Sequence, residues 1–186
     1  QLGKLGFYSN SVINPLQQQL AERLGKACGY EDYQLFLVNS GAEANECAIK
    51  AARKYAKENK GADYYTVVTL KNSFHGRTVT TLAATGQEHY HELFKPLTDG
   101  FVYTPANDIE QLQKAVKENN IAAVMFECIQ GEGGVIPLEK DFVIEISKLA
   151  KQNNFLIIVD EVQTGNGRTG KLYAYMNYGI TPDIVT

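Results

Sequence analysis

Asp160 follows the apolar run FLIIV and opens the stretch DEVQTGNGRTG. A carboxylate at that position is semi-buried and requires a cationic or hydrogen-bonding partner. A protonated ring nitrogen would serve, as would a helix cap or an internal ion pair. Glu127 closes the run IAAVMF in the same way, and Gln130, Glu132 and two adjacent glycines follow it in a tight loop. After YYTVVTL comes FHGRT, where Phe74 suits either the core or stacking on a flat ring, with His75 and Gly76 beside it. The planar guanidinium of Arg77 offers two parallel hydrogen bonds to a substrate carboxylate, and equally suits a surface ion pair. After QLFLV comes NSGAEANE, in which Ser40 and Glu43 have the spacing of a helix capping box. Gly41 and Ala42 there present unobstructed backbone N–H groups at the positive end of a helix dipole, which suits a phosphate.

The string GNGRTG matches the G-x-G-x-x-G pattern of dinucleotide sites, but its context is wrong. That fingerprint needs its first glycine in the turn directly after a strand and its last glycines opening a helix. Here DEVQT separates FLIIV from Gly165, and KLYAYMNYGITPD after Gly170 has no long helical pattern. GNGRTG therefore reads as a flexible loop, and a nicotinamide-dependent oxidoreductase rests on it alone. Asp160 fits another cofactor: pyridoxal phosphate acts as an electron sink when an acidic side chain keeps its ring nitrogen protonated. His89 and His91 lack the i, i+4 spacing of a helical metal pair and are expected at the surface, so no metal is expected. No G-x-S-x-G elbow is present to support a serine hydrolase.

These clusters need a scaffold, and helical and strand-like patterns alternate along the chain to supply one. PLQQQLAERLGKAC places Leu16, Leu20, Leu24 and Ala27 or Cys28 on one helical face. Ala44, Cys47, Ala48, Ala51, Ala52 and Tyr55 predict a second helix ending near Lys60-Gly61. DIEQLQKAVKEN, with Asp108 as N-cap, and DFVIEISKLAKQN predict two more. QLFLV, YYTVVTL, IAAVMFECI and FLIIV read as strands, and TPDIVT begins like another. Strands without apolar–polar alternation, separated by helices, predict an α/β fold: a mostly parallel sheet with helices on both faces. Ligands of such sheets lie beyond the carboxyl ends of the strands, where all four clusters fall.

The 186 residues, 44% hydrophobic and 21% charged, suit one soluble globular domain. A net charge of −3 gives no general reason to expect nucleic acid or an anionic membrane as partner. No apolar run approaches the ~20 residues of a membrane span, and QLGKLGFYSN does not read as a signal peptide. Cys28, Cys47 and Cys128 are isolated and odd in number, the pattern of small buried hydrophobes in a reducing compartment, so a cytoplasmic location is expected.

NSGAEANE, SFHGRT, ECIQGEGGV and VDEVQTGNGRTG, in this order and spacing, resemble the class III (ornithine-type) pyridoxal phosphate-dependent aminotransferases over essentially the whole chain. The resemblance implies that Ser40, Gly41 and Ala42 cradle the cofactor phosphate and that Phe74 stacks on the ring, with His75 in the cofactor-binding set. It places Asp160 on the ring nitrogen, Val162 on the other ring face and Gln163 on the phenolic oxygen. Arg77 matches the residue that binds the substrate α-carboxylate, and Glu127 and Glu132 match glutamates that select or gate its distal end. The implied activity is transamination between N-acetylornithine and 2-oxoglutarate, in arginine biosynthesis. Ornithine, 4-aminobutyrate and succinylornithine are the alternative amino donors, and a non-catalytic remnant of the fold is a remoter reading. The resemblance also implies that residues 1–186 are part of a cofactor-binding major domain in a homodimeric enzyme. On that comparison the N-terminal arm, the Schiff-base lysine and the C-terminal small domain lie outside this chain, and the chain alone is expected to be inactive.

Overall fold

The computed structural model describes residues 13–30 and 32–186, which fall into two compact units divided between Leu37 and Val38. The opening QLGKLGFYSN lies outside the described residues. In the first unit, helix α1 spans Pro15–Cys28. Asn14 caps it by accepting from the Leu16 N–H at 2.9 Å, Pro15 fills the first helical position, and Gly29 closes it at φ 77°. The predicted leucine stripe is on one face but stays wet: Leu16 and Leu20 are 44% and 40% exposed.

QLFLV is not a strand. Residues 34–38 belong to no sheet among the described residues, and Leu35, Phe36 and Leu37 are exposed. Apolar composition alone does not make a strand; a neighbour must offer the hydrogen-bond ladder.

The second unit is built on a sheet of five parallel strands. In chain order, α2 is Gly41–Asn59, β1 Thr66–Leu70, α3 Val79–Ala84, β2 Phe101–Thr104, α4 Ile109–Glu118 and β3 Ile121–Phe126. Then come β4 Ile129–Gln130 and β5 Ile136–Pro137, a small antiparallel pair, followed by α5 Lys140–Asn153, β6 Leu156–Val159 and β7 Ile184–Val185. Every residue of β3 is buried, as expected of a central parallel strand covered on both faces. Ala48, Ile49 and Ala52 of α2 pack with Val67, Ala123, Met125 and Ile158, while α4 and α5 pack on each other and on β2, β3 and β6.

The buried stripe of α2 is Asn45, Ala48, Ile49, Ala52 and Ala56, rotated from the expected one; Ala51 and Tyr55 face outward. Alanines mark a helix without marking which side packs, and Ile49 decides it. Strand β2 and the six-residue α3 carry no strong periodicity and went unpredicted. The stretch GNGRTG forms successive turns and opens no helix. His91, expected at the surface, is buried: its Nε2 contacts the carbonyls of Leu82 at 3.0 Å and Thr85 at 2.7 Å, satisfying the open C-terminal end of α3.

Candidate active site

In the sheet order β2-β1-β3-β6-β7 the chain leaves β1 toward β2 on one side and returns to β3 on the other, so the strand order, not the strand direction, switches between β1 and β3. Crevices open beyond the carboxyl ends of strands at such a point. A cavity of ≈290 Å³ lies there, lined by Gly41, Ala42, Asn45, Phe74, His75, Gly76, Arg77, Glu127, Asp160, Val162 and Gln163. Nine of the eleven residues singled out by sequence are thus adjacent to or within one site. Ser40 lies at its edge as the exposed N-cap of α2, and Glu132 is exposed beside Gln163, whose amide reaches it at 3.5 Å.

Asp160 ends β6 and is 4% exposed. Its Oδ2 accepts from Asn45 Nδ2 at 2.8 Å and contacts His75 Nδ1 at 2.8 Å, and its Oδ1 accepts from the Val162 N–H at 3.0 Å. An ionised carboxylate has about four acceptor positions, so three are filled and one remains for a further donor. His75 Nε2 is buried and has no hydrogen-bond partner among the described residues.

Ser40 Oγ accepts from the Glu43 N–H at 3.2 Å, one half of a capping box. The reciprocal half is displaced by one residue: the Glu43 carboxylate accepts from the Asn39 N–H at 2.7 Å. The N–H groups of Gly41 and Ala42 have no acceptor among the described residues and stand at the cavity at the head of a 19-residue helix, an anion cradle with its donors unspent. A Cβ on Gly41 would lie 2.7 Å from Val162 Cγ2, so glycine is what lets the two segments approach. Gly76 sits at φ 130°, and a Cβ there would lie 2.8 Å from that of Ala42.

Phe74 is half-buried and receives the ring of Tyr90 edge-on at 5.7 Å. Arg77 is exposed, with its guanidinium 5.8 Å from the centroids of both rings, and no carboxylate pairs with it among the described residues. It also borders a second hollow of ≈250 Å³, lined with Val79, Leu82, Tyr90, Phe94 and Leu97. Its fork is therefore free for a ligand between two cavities. Glu127 is 4% exposed and accepts from the N–H groups of Phe74 at 3.0 Å and Gly131 at 3.4 Å. Burial raises its pKa above the usual carboxylate range, opposed by nearby His75 and the Phe74 N–H and reinforced by Asp160. The neighbouring Glu161 is structural: it accepts from Thr164 Oγ1 and from the N–H groups of Ala174 and Tyr175, pinning the turns of the GNGRTG segment.

Asn45 is the functional-site residue that sequence reasoning missed. Its only signal was an amide on the inner side of an otherwise apolar stripe, visible once Ile49 rather than the alanines sets the helix phase.

A helix N-terminus, a ring-sized cleft with an aromatic wall and a buried carboxylate with one free position define the type of site. The chain belongs to the aminotransferase class-III family, which it matches over residues 1–186. It is 54% identical over 178 residues to the acetylornithine aminotransferase of Caldanaerobacter subterraneus subsp. tengcongensis, covering 96% of this chain and 44% of that protein. Its fold superposes on N-acetylornithine aminotransferase from Stenotrophomonas maltophilia K279a with TM-score 0.81 and 39% identity, over 98% of this chain and 44% of the other. An ornithine aminotransferase from Toxoplasma gondii, whose active site holds pyridoxal phosphate at partial occupancy, superposes with TM-score 0.91 and 34% identity, over 98% and 43%. The chain spans about half the length of the curated relatives it matches.

Proposed function

We propose that residues 1–186 form the cofactor-binding part of a longer pyridoxal phosphate-dependent aminotransferase that exchanges an amino group between N-acetylornithine and 2-oxoglutarate. The observation that carries the cofactor reading is the pairing of two unmet needs in one cavity. These are the unpaired N–H groups of Gly41 and Ala42, and the free acceptor position of Asp160.

When bound, the cofactor supplies a ring that delocalises the negative charge left as a substrate carbon loses its proton. Gly41 and Ala42 hold the phosphate by their N–H groups, assisted by the helix dipole, with Ser40 at the edge. Phe74 and Val162 confine the ring from its two faces. Asp160 holds a proton at the ring nitrogen, supported by His75, and Gln163 donates its amide to the phenolic oxygen. Arg77 takes the substrate α-carboxylate as a bidentate pair. Glu127 and Glu132 line the route to the distal end.

N-acetylornithine is favoured over ornithine by the names of the relatives at 44–54% identity. Ornithine is the second reading, and the T. gondii enzyme carries it. The test is a half-reaction on the full-length protein loaded with pyridoxal phosphate, following loss of the bound cofactor's absorbance with each donor. Faster loss with ornithine would overturn the assignment. No lysine lines the cavity among the described residues. The 186-residue chain alone is therefore expected to show no transaminase turnover, and a measured rate from it would refute that.

A further inference from the structure

Asn45 is 1% exposed, and none of the roles above belongs to it. Its Nδ2 donates to the His75 carbonyl at 2.8 Å and to Asp160 Oδ2 at 2.8 Å, and its Oδ1 accepts from the Thr186 hydroxyl at 2.7 Å. A backbone carbonyl can only accept, so the network itself fixes which way the amide faces. Thr186 is in turn held on the sheet: its N–H donates to the Val159 carbonyl at 3.1 Å, and its carbonyl accepts from the Glu161 N–H at 2.9 Å.

We propose that Asn45 is a positioning residue that locks Asp160 to helix α2 and so sets the distance between the phosphate cradle and the ring-nitrogen acid. The proposal rests on the pyridoxal phosphate reading and deepens it. Asn45 lies about one helical turn after Gly41 and Ala42, on the helix whose N–H groups face the phosphate. Through one amide it reaches the carboxylate at the end of β6, the loop after β1 and the residue after β7. A ligand gripped at both ends binds well only if that span is held, and reorganising it costs affinity. The chain of contacts gives Thr186 a part: its hydroxyl occupies Asn45 Oδ1 and keeps the NH₂ turned toward Asp160.

The test uses the full-length natural protein, with affinities for pyridoxal phosphate and for inorganic phosphate measured by equilibrium titration. Asn45→Ala is expected to weaken pyridoxal phosphate binding by about 10- to 100-fold, the range for losing a hydrogen bond to a charged group. Inorganic phosphate, which touches only the cradle, should change by less than about twofold, since its contacts are remote from the lost amide. In an Asp160→Ala background the same substitution should add less than about twofold, because residues that act through one another are not additive. The ring ¹⁵N resonance of labelled cofactor should move toward the unprotonated value in Asn45→Ala. Unchanged affinity, or the full loss persisting in the Asp160→Ala background, would overturn the proposal. Should Asn45→Ala not fold, Thr186→Val decides: a loss of about 3- to 10-fold with the same ¹⁵N shift supports it, and wild-type values overturn it. A wild-type protein with no affinity for pyridoxal phosphate would instead refute the functional reading itself.

Discussion

The His75 imidazole and the Asp160 carboxylate meet at 2.8 Å, with their side chains 0% and 4% exposed, across 85 positions of sequence. The contact bridges the loop after β1 and the end of β6, strands separated in the sheet by β3. With Asn45 donating to the same oxygen, Oδ2 must accept twice, so His75 meets it as a donor through Nδ1. Asp160→Asn keeps the shape but cannot satisfy both donors and the Val162 N–H together. It should lower unfolding stability by about 2–4 kcal/mol, the cost of leaving buried polar partners unmet. Denaturant midpoints of the two full-length proteins check this, and coincident midpoints would sink it.

Glu127 offers a pH-dependent signature. Burial raises its folded-state pKa, so the native protein binds that proton more tightly than the unfolded chain does. Its contribution to stability is fully present below the ordinary glutamate pKa of about 4.3 and is lost as pH rises through the higher folded value. Glu127→Gln cannot ionise, retains an acceptor for the Phe74 N–H, and should gain on wild type progressively across that window. Urea midpoints measured at a series of pH values report the difference, and a difference independent of pH would contradict the assignment.

How much of this was legible in the sequence depended on what each signal reports. The parallel α/β sheet could be read because β3 and β6 are uninterrupted apolar runs, the signature of strands covered on both faces. The residues after those strands were legible for the same reason: a carboxylate directly after FLIIV or IAAVMF is conspicuous. The five residues QLFLV misled because a strand depends on a partner that composition does not reveal. The burial of His91 was hidden because its partners are main-chain carbonyls at the end of a helix too short to predict. Asn45 stayed hidden because its work is done with groups 30, 115 and 141 positions away, which only folding brings together.

Cys128 is fully buried directly after Glu127, and burial pushes its thiol far above the ordinary value, with Glu161 adding to the effect. Thiolate is the reactive form, so native Cys128 should resist alkylation. Treatment with iodoacetamide at mildly alkaline pH, followed by peptide mass analysis, should label it at least about tenfold more slowly in the native protein than in urea, as expected where reaction needs exposure. Equal rates in both states would contradict the burial.

Gly41→Ala separates the site from the fold. The residue opens α2, where alanine is a better helix former than glycine, by about 1 kcal/mol in a helix interior. On propensity alone the substitution is harmless to stability. The new Cβ would nevertheless lie 2.7 and 2.8 Å from the two Val162 methyls, which must move. Val162 is 53% exposed and can swing outward cheaply, but its N–H is the donor on Asp160 Oδ1, and its side chain borders the cavity. The expected outcome is a thermal midpoint within a few degrees of wild type, with pyridoxal phosphate affinity reduced by about tenfold or more, equivalent to the ~1.4 kcal/mol of one weakened contact. A variant that binds the cofactor as tightly as wild type would show that the Gly41–Val162 contact does not shape the ring's place.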